Sequence, residues 1–413
     1  MLIGRGFMDS EYDVIVVGAG PAGLAAAKSA VDCGAKVLLI EEHSVIGSPV
    51  QCGESLALSS IEELGLELSP SFVANDDVRK IVLFSPNRKK IEIVMPRKLR
   101  PPGVMLERKM FEKLLAVKIA NAGGHVFVKS PAIGVVKENG NVVGVKVKHI
   151  DETREVRGKV VIAADGPASK VAQWAGMDVY TDVEKFASCA QFQMANVNID
   201  PQVAEIYLGK VAPGGGFWVL PKSEGFANVG LGIAGDDPKT ALSYLREFIE
   251  KDERLKNGSV IEFNVGPVPV GGPVKKMVGN GIMLVGDAAR QVNPATGGGM
   301  KFGIRAGIIA GEVAAQAVKS GDVSARALKA YERRWNREFR RRFKAFEIFR
   351  DMILEMPDKK LDALCEDIGR KMVPEEIDSR TDLALMGMRM ILPVLRKYPK
   401  IMLKLGRFLP SLT

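Results

Sequence analysis

Residues 12–17, YDVIVV, form a short apolar run rich in β-branched side chains, which predicts a buried strand. It ends in Gly18-Ala19-Gly20-Pro21-Ala22-Gly23. Behind that turn LAAAKSAVDCG carries small apolar residues at helical spacing, and KVLLIEE predicts a second buried strand closing on Glu41. IVLFSPNRKKIEIVM then predicts two strands around a Pro-Asn turn. Arg108 opens a helix, RKMFEKLLAVKIANAGG, that glycines close. HVFVKSPAIGVVKENGNVVGVKVKHI alternates at period two about a tight Asn139-Gly140 turn, and REVRGKVVIAADG ends on a buried strand. From about 185 to 272 the pattern predicts strands only. At 282 a buried strand (IMLVGDAA), a glycine-rich turn (NPATGGGM) and a long helix (KFGIRAGIIAGEVAAQAV) follow one another. Beyond about 325 the pattern is helical, charged and Arg-dense.

Composition narrows the classes. At 413 residues with 46% hydrophobic and 26% charged positions, the chain is globular rather than disordered or fibrous. Four scattered cysteines (33, 52, 189, 365), with no C-x-x-C, exclude a disulfide framework and a Cys-rich zinc or iron–sulfur site. With only three histidines, we expect no metal centre. No apolar run reaches the ~18 residues of a membrane span. The first eight residues are too short for a signal peptide and read as a ragged leader. The expected location is the cytoplasm. The net charge of +9 is uneven: 19 Lys/Arg against 13 Asp/Glu from Tyr331 onward leave +6 there. After Asp382 six basic residues and no acid are interleaved with Leu, Ile, Met and Phe. Residues 384–412 therefore read as a solvated helix pair or as a tail lying on an anionic membrane surface. Nothing earlier in the chain resembles a nucleic-acid-binding module.

The strand–turn–helix–strand unit at 12–41 has a specific physical logic. Gly18 permits the tight turn, Gly20 lets the backbone approach a pyrophosphate, and Gly23 lets helix pack on strand. The helix N-terminus faces the phosphates, and Glu41 accepts bonds from ribose hydroxyls. An acid at this position favours FAD or NAD over NADP. Asp287, at a strand end, either accepts bonds from hydroxyls of a bound cofactor or caps the next helix. Gly297-Gly298-Gly299-Met300, before a helix, brings backbone N–H groups towards a ligand that carries negative charge. Cys52, in the loop GSPVQCGES, is either a small buried residue or a reactive one.

The collinear set VVGAGPAG, GSPVQCGE, LERKMFEKLL, KSPAIGVVKENG, AADG, WVLPKSEGFANVGLG and MLVGDAARQVNPATGGGM spans nearly the whole chain. It resembles flavoproteins of the para-hydroxybenzoate hydroxylase fold, and within them the geranylgeranyl reductase family, most of all its archaeal digeranylgeranylglycerophospholipid reductases. The resemblance implies an α/β fold. A Rossmann-like FAD-binding domain of the glutathione-reductase type (9–74, 106–176 and 280–324) is joined to an antiparallel β substrate domain (75–105 and 177–279). A helical C-terminal region (325–413) follows. It also implies flavin contacts at Ala22, Glu41, Cys52, Gly53, Arg108, Ala132, Asp287, Gly299 and Met300, with Arg108 serving the pyrophosphate.

Two departures from related proteins stand out. Where hydroxylases carry an Arg seven residues after the Asp of the Asp-Gly motif, this chain has Ala172. Aromatic residues that flank Trp218 at two-residue spacing in the family are Gly216 and Leu220 here. The expected activity is FAD-dependent saturation of C=C bonds in geranylgeranyl chains of archaeal-type ether phospholipids or their precursors. Cys52 is the candidate proton donor, and Phe217, Trp218 and Pro221 are candidate substrate walls. The electron donor is left open between a nicotinamide and a reduced carrier protein. A flavin monooxygenase of the same fold and a quinone-coupled flavoprotein dehydrogenase are the alternatives.

Overall fold

A computed structural model of the chain describes residues 8–95, 99–180, 182–235 and 239–371. The expected membrane-binding segment 384–412 lies outside them. β1 (Glu11–Val17) leads through the glycine turn into α1 (Pro21–Asp32) and back to β2 (Val37–Ile40). A short excursion follows through β3 (Ser55–Ala57), α2 (Leu58–Glu63) and β4 (Val73–Asn75). The hairpin β5 (Lys80–Phe84) and β6 (Lys90–Val94) precedes β7 (Gly103–Leu106), α3 (Arg108–Asn121) and β8 (His125–Phe127). A meander of β9 (Ala132–Glu138), β10 (Asn141–His149) and β11 (Glu152–Ala163) gives way to α4 (Lys170–Ala175). β12 (Phe186–Ala195), β13 (Val203–Tyr207), β14 (Gly216–Ser223) and β15 (Phe226–Ile233) come next, then α5 (Ala241–Lys251) and β16 (Ser259–Pro269). β17 (Val278–Gly279) and β18 (Ile282–Leu284) lead to α6 (Met300–Ser320), α7 (Ala325–Leu354) and α8 (Asp358–Lys371).

The strands form an eight-stranded, a seven-stranded and a three-stranded sheet. In the first, β18, β11, β1, β2 and β8 lie side by side and parallel. Val14, Ile15 and Val16 are fully buried, because a parallel sheet is covered on both faces. This arrangement brings the C-terminal ends of β1, β11 and β18 together, where ligands of open α/β sheets bind.

Helix α1 is fixed by its packing on α6. Gly303, Gly307 and Gly311 recur every four residues on α6, opposite Ala22, Ala26 and Ala30 of α1. A Cβ at Gly307 would sit 2.2 Å from the carbonyl oxygen of Ala22, and one at Gly311 2.4 Å from that of Ala26. The helices therefore touch backbone to backbone. Gly307→Val is expected to destabilise the fold by about 3 kcal/mol, the upper end of the overpacking range. An unchanged denaturant midpoint would show that this close approach is not what seats α1.

The seven-stranded sheet has the order β16-β12-β15-β14-β13-β5-β6, with β13–β5 its parallel pair. Its residues alternate between two environments. Phe192, Met194, Phe217, Val219, Val229 and Leu231 pack against Leu245 and Phe248 of α5. Gln191, Trp218 and Leu220 face the other way, into a cavity. Helix α5 corrects the expectation of strands only between 185 and 272. Thr240 caps it by accepting a bond from Ser243 N–H (3.2 Å), and Ala241, Leu245 and Phe248 form its buried stripe. That period of 3.6 was readable, but the strand patterns on either side overran it.

Candidate active site

One cavity of about 1140 Å³ runs between the two large sheets. At one end lie Gly18, Ala19, Gly20, Pro21 and Ala22, where α1 begins with no side-chain cap. Gly18 has φ +100°, and a Cβ there would meet the carbonyl oxygen of Ala164 at 2.4 Å, so only glycine makes this turn. Gly23 lets α1 return over it, since a Cβ there would lie 1.9 Å from the oxygen of Gly18. Glu41 borders the same end, with one carboxylate oxygen accepting from Ala19 N–H (2.8 Å) and the other from His43 N–H (2.9 Å). His43 also reaches that carboxylate through Nδ1 at 2.6 Å. Ala132 lines the wall nearby.

Asp287 follows β18 in a 3-10 turn and borders the cavity, where its carboxylate caps neither that turn nor α6. Burial pushes its pKa up, and the charges of Arg108 and Arg290 pull it back. Gly299 lies against it: a Cβ at Gly299 would be 3.2 Å from Asp287 Oδ1. Gly297, Gly298 and Met300 continue the lining into the start of α6. Asp165 accepts a bond from Val171 N–H through Oδ2 (2.9 Å), while its buried Oδ1 has no partner among the described residues. Ala172, where hydroxylases carry an arginine, is fully buried in α4.

Arg108 sits at the centre. Its backbone N–H donates to Glu54 Oε1 (2.9 Å), and its guanidinium pairs with Glu112 and contacts the Cys52 thiol. Glu112 is almost fully buried; that burial raises its pKa, and Arg108 offsets part of the rise. Cys52 is in the cavity wall, and its Sγ accepts from Glu54 N–H at 3.2 Å. Burial pushes its thiol up, and the positive charge of Arg108 pulls it down. Gly53 packs against Leu220, whose Cδ1 lies 3.0 Å from where a Cβ would stand.

Sequence reading missed the residues that tie this loop to the second sheet. Gln191 accepts from Trp218 Nε1 (2.9 Å) and donates to the Cys52 carbonyl (2.8 Å). Glu54 Oε2 receives Gln193 Nε2, Asn228 Nδ2 and Lys222 Nζ at 2.9, 2.9 and 2.7 Å. Lys222 is wholly buried and reaches on to Glu107 (2.8 Å). The one available signal was Gln191 and Gln193, two amides on the same face of an otherwise apolar strand. Lys222→Met is expected to cost about 3–5 kcal/mol, because it removes one partner of a buried ion pair and leaves Glu54 without its cation. A melting temperature equal to wild type would refute the pairing.

Trp218 faces the cavity, its ring lying over Gly230, where a Cβ would meet it at 2.7 Å. Phe217 and Pro221 are placed differently from the expectation that all three form the substrate wall. Phe217 reaches the cavity margin, but its ring is buried on the opposite face of β14, stacked on Phe248 at 3.8 Å. Pro221 is buried outside the lining, and its carbonyl accepts from Asn75. Leu83, Ile206 and Leu208, together with Phe349, Ile353 and Leu354 of α7, add an apolar wall that sequence reading did not assign. Among the described residues no cluster of three His, Cys, Asp or Glu has the arrangement to hold a metal ion.

A glycine turn feeding a helix, an acid at the end of the second strand and a second glycine-rich turn at the switch of the sheet define an FAD-binding oxidoreductase. Comparison with known proteins makes the assignment specific. Residues 185–268 match the geranylgeranyl reductase catalytic domain, and residues 12–217 the pyridine nucleotide-disulphide oxidoreductase domain. The chain is 43% identical over 370 residues to digeranylgeranylglycerophospholipid reductase of Methanocaldococcus jannaschii, covering 88% of this chain and 92% of that one. It is 39% identical over 405 residues to the Methanothermobacter thermautotrophicus digeranylgeranylglycerophospholipid reductase 1 (97% and 99%). A solved geranylgeranyl bacteriochlorophyll reductase-like protein of Thermoplasma acidophilum superposes with a TM-score of 0.89 at 37% identity, covering 97% and 99% of the two chains. A flavin-dependent brominase shares the fold alone, at 21% identity and a TM-score of 0.69 over 94% and 100%. The chain belongs to the geranylgeranyl reductase family, alongside the archaeal digeranylgeranylglycerophospholipid reductases.

Proposed function

We propose that this protein saturates C=C bonds of geranylgeranyl chains in archaeal-type ether phospholipids or their precursors, using FAD. The supporting observation is the single cavity that joins the dinucleotide turn to Cys52, Trp218 and a long apolar wall. Such a cavity has room for a cofactor at one end and a polyprenyl chain at the other. In this reading the eight-stranded sheet carries the cofactor and the seven-stranded sheet the substrate. Gly18, Gly20, Ala22 and Gly23 form the pyrophosphate cradle, with Arg108 beside it and Glu41 on the adenosine ribose. Asp287 and the unpartnered Asp165 Oδ1 offer acceptors to hydroxyls, and Gly53, Ala132, Gly299 and Met300 complete the pocket.

An isolated alkene has no carbonyl to polarise, and reduced FAD, when bound, supplies the hydride equivalent from N5. The protein must supply a proton to the other carbon and keep water out. Leu83, Ile206, Leu208, Trp218 and Leu220 exclude water. The Cys52 thiol, held protonated by burial, gives up its proton and becomes a thiolate. Arg108 and the Glu54 N–H face that developing charge. Electrons come from a nicotinamide or a reduced carrier protein. No described helix is long and apolar enough to cross a membrane, and the reading places the enzyme in the cytoplasm, bound peripherally to an anionic bilayer.

The test is extraction of the purified protein followed by mass spectrometry, with a visible absorption spectrum of the same sample. A flavin spectrum with FAD released on denaturation, and a co-purifying polyprenyl lipid, are expected. A colourless protein that takes up no FAD on reconstitution would overturn the reading.

A further inference from the structure

Helix α7 has two opposite faces. Leu328, Tyr331, Trp335, Phe339 and Phe343 are buried against the core. On the other side lie Lys329, Arg333, Arg337, Arg340, Arg341 and Lys344, spaced three or four residues apart save the adjacent pair Arg340-Arg341, and all six are exposed. At 1.5 Å per residue this row is about 22 Å long. The two carboxylates within the same stretch are engaged elsewhere: Glu332 is buried and accepts from Met277 N–H, and Glu338 pairs with Arg305. Of the six cations, Lys344 alone has an acidic partner among the described residues, Glu347 at 2.9 Å. Such a row exceeds what helix solubility needs, since like charges at i, i+4 destabilise a helix.

We infer that this face of α7 is the surface by which the protein docks on anionic phospholipid headgroups. The inference rests on the lipid-reductase reading and names the surface that serves it. Guanidinium groups bind phosphate through paired donors, which suits a row of four arginines to a phosphate-bearing plane. The occupant is a bilayer rather than an acidic protein because the same helix continues into the apolar cavity. Phe349 and Leu354, 43% and 48% exposed, lie in the cavity lining about one and a half and three turns beyond Lys344. A lipid whose headgroup rests on α7 thus has an apolar cavity bordered by that same helix for its chain.

The test compares the full chain with a full-chain variant carrying Arg333→Gln, Arg337→Gln, Arg340→Gln and Arg341→Gln. Glutamine keeps helix propensity while removing charge, and melting temperature and FAD content check that the variant is folded. Both proteins are floated with vesicles of phosphatidylglycerol or of phosphatidylcholine, at low and high salt. The wild type is expected to bind phosphatidylglycerol vesicles, to release them as salt screens the contact, and to ignore phosphatidylcholine. The variant is expected to lose at least tenfold in binding while reducing detergent-dispersed geranylgeranyl lipid at the wild-type rate. Equal vesicle binding by the two proteins would overturn the inference. So would a variant slowed only when an acidic redox protein, rather than dithionite, supplies electrons, since that would assign the row to a protein partner. Normal reduction of dispersed lipid with no vesicle binding by the wild type would refute the surface and leave the reductase standing. Absence of any lipid reduction would refute the reductase reading itself.

Discussion

Cys52→Ala is expected to fold and bind FAD as the wild type does, yet to saturate geranylgeranyl chains about 10²- to 10⁴-fold more slowly, the contribution of a positioned general acid. The separation of effects follows from what Sγ touches. It accepts one bond, from Glu54 N–H, and contacts the Arg108 guanidinium, so its loss leaves the buried Glu54–Lys222 pair intact. Glu54 holds the loop without help from the thiol, through Arg108 N–H, Gln193, Asn228 and Lys222. Single-turnover rates of the reduced enzyme, measured beside FAD affinity, check the prediction. A variant as fast as wild type would remove Cys52 from the proton path and leave the reductase assignment in place.

Arg108→Leu is the second large effect. It strands Glu112 in a buried site without its cation, which is expected to cost about 3–5 kcal/mol. The cost depends on pH, and its sign can be worked out. Burial already holds the Glu112 pKa above its ordinary value, and removing Arg108 raises it further. The folded variant then binds a proton that the unfolded chain has released above about pH 4.3. Stability therefore falls as pH rises from that value through the raised folded pKa, and the difference from wild type is smallest in acid. Replacing Glu112 with leucine as well should restore most of the stability, since a buried pair is often replaceable by apolar residues. It should not restore FAD affinity if Arg108 serves the pyrophosphate. Recovery of FAD binding in the double variant would show that Arg108 is structural only.

Much of the cofactor end was legible because its logic is local. Gly18 to Glu41 is one strand–turn–helix–strand unit, and Gly23 has its steric reason inside it, at the Gly18 carbonyl, whereas the neighbour that crowds Gly18 is Ala164, just past the end of β11. The substrate end was not, because it is assembled across the chain: Gln191 meets Cys52 across 139 positions, and Lys222 meets Glu54 across 168. No periodicity reports such a pairing. Phe217, next to Trp218, meets the cavity only at its margin and turns its ring to Phe248, since neighbouring strand residues point to opposite faces. The α7 wall was hidden for another reason. An amphipathic pattern shows which side of a helix is buried, not that its last turns border a cavity. Helix α5 is legible in the sequence, with Thr240 as its cap and an apolar stripe behind it, but the strand patterns on either side mask it.

Anaerobic incubation of chemically reduced enzyme with a geranylgeranyl ether phospholipid, followed by mass spectrometry, tests the alkene reduction most directly. Products heavier by two hydrogen atoms for each double bond consumed are expected, formed without oxygen and only when the flavin is present. Products heavier by one oxygen atom that form only in air, or no change in any polyprenyl substrate, would contradict the alkene reduction.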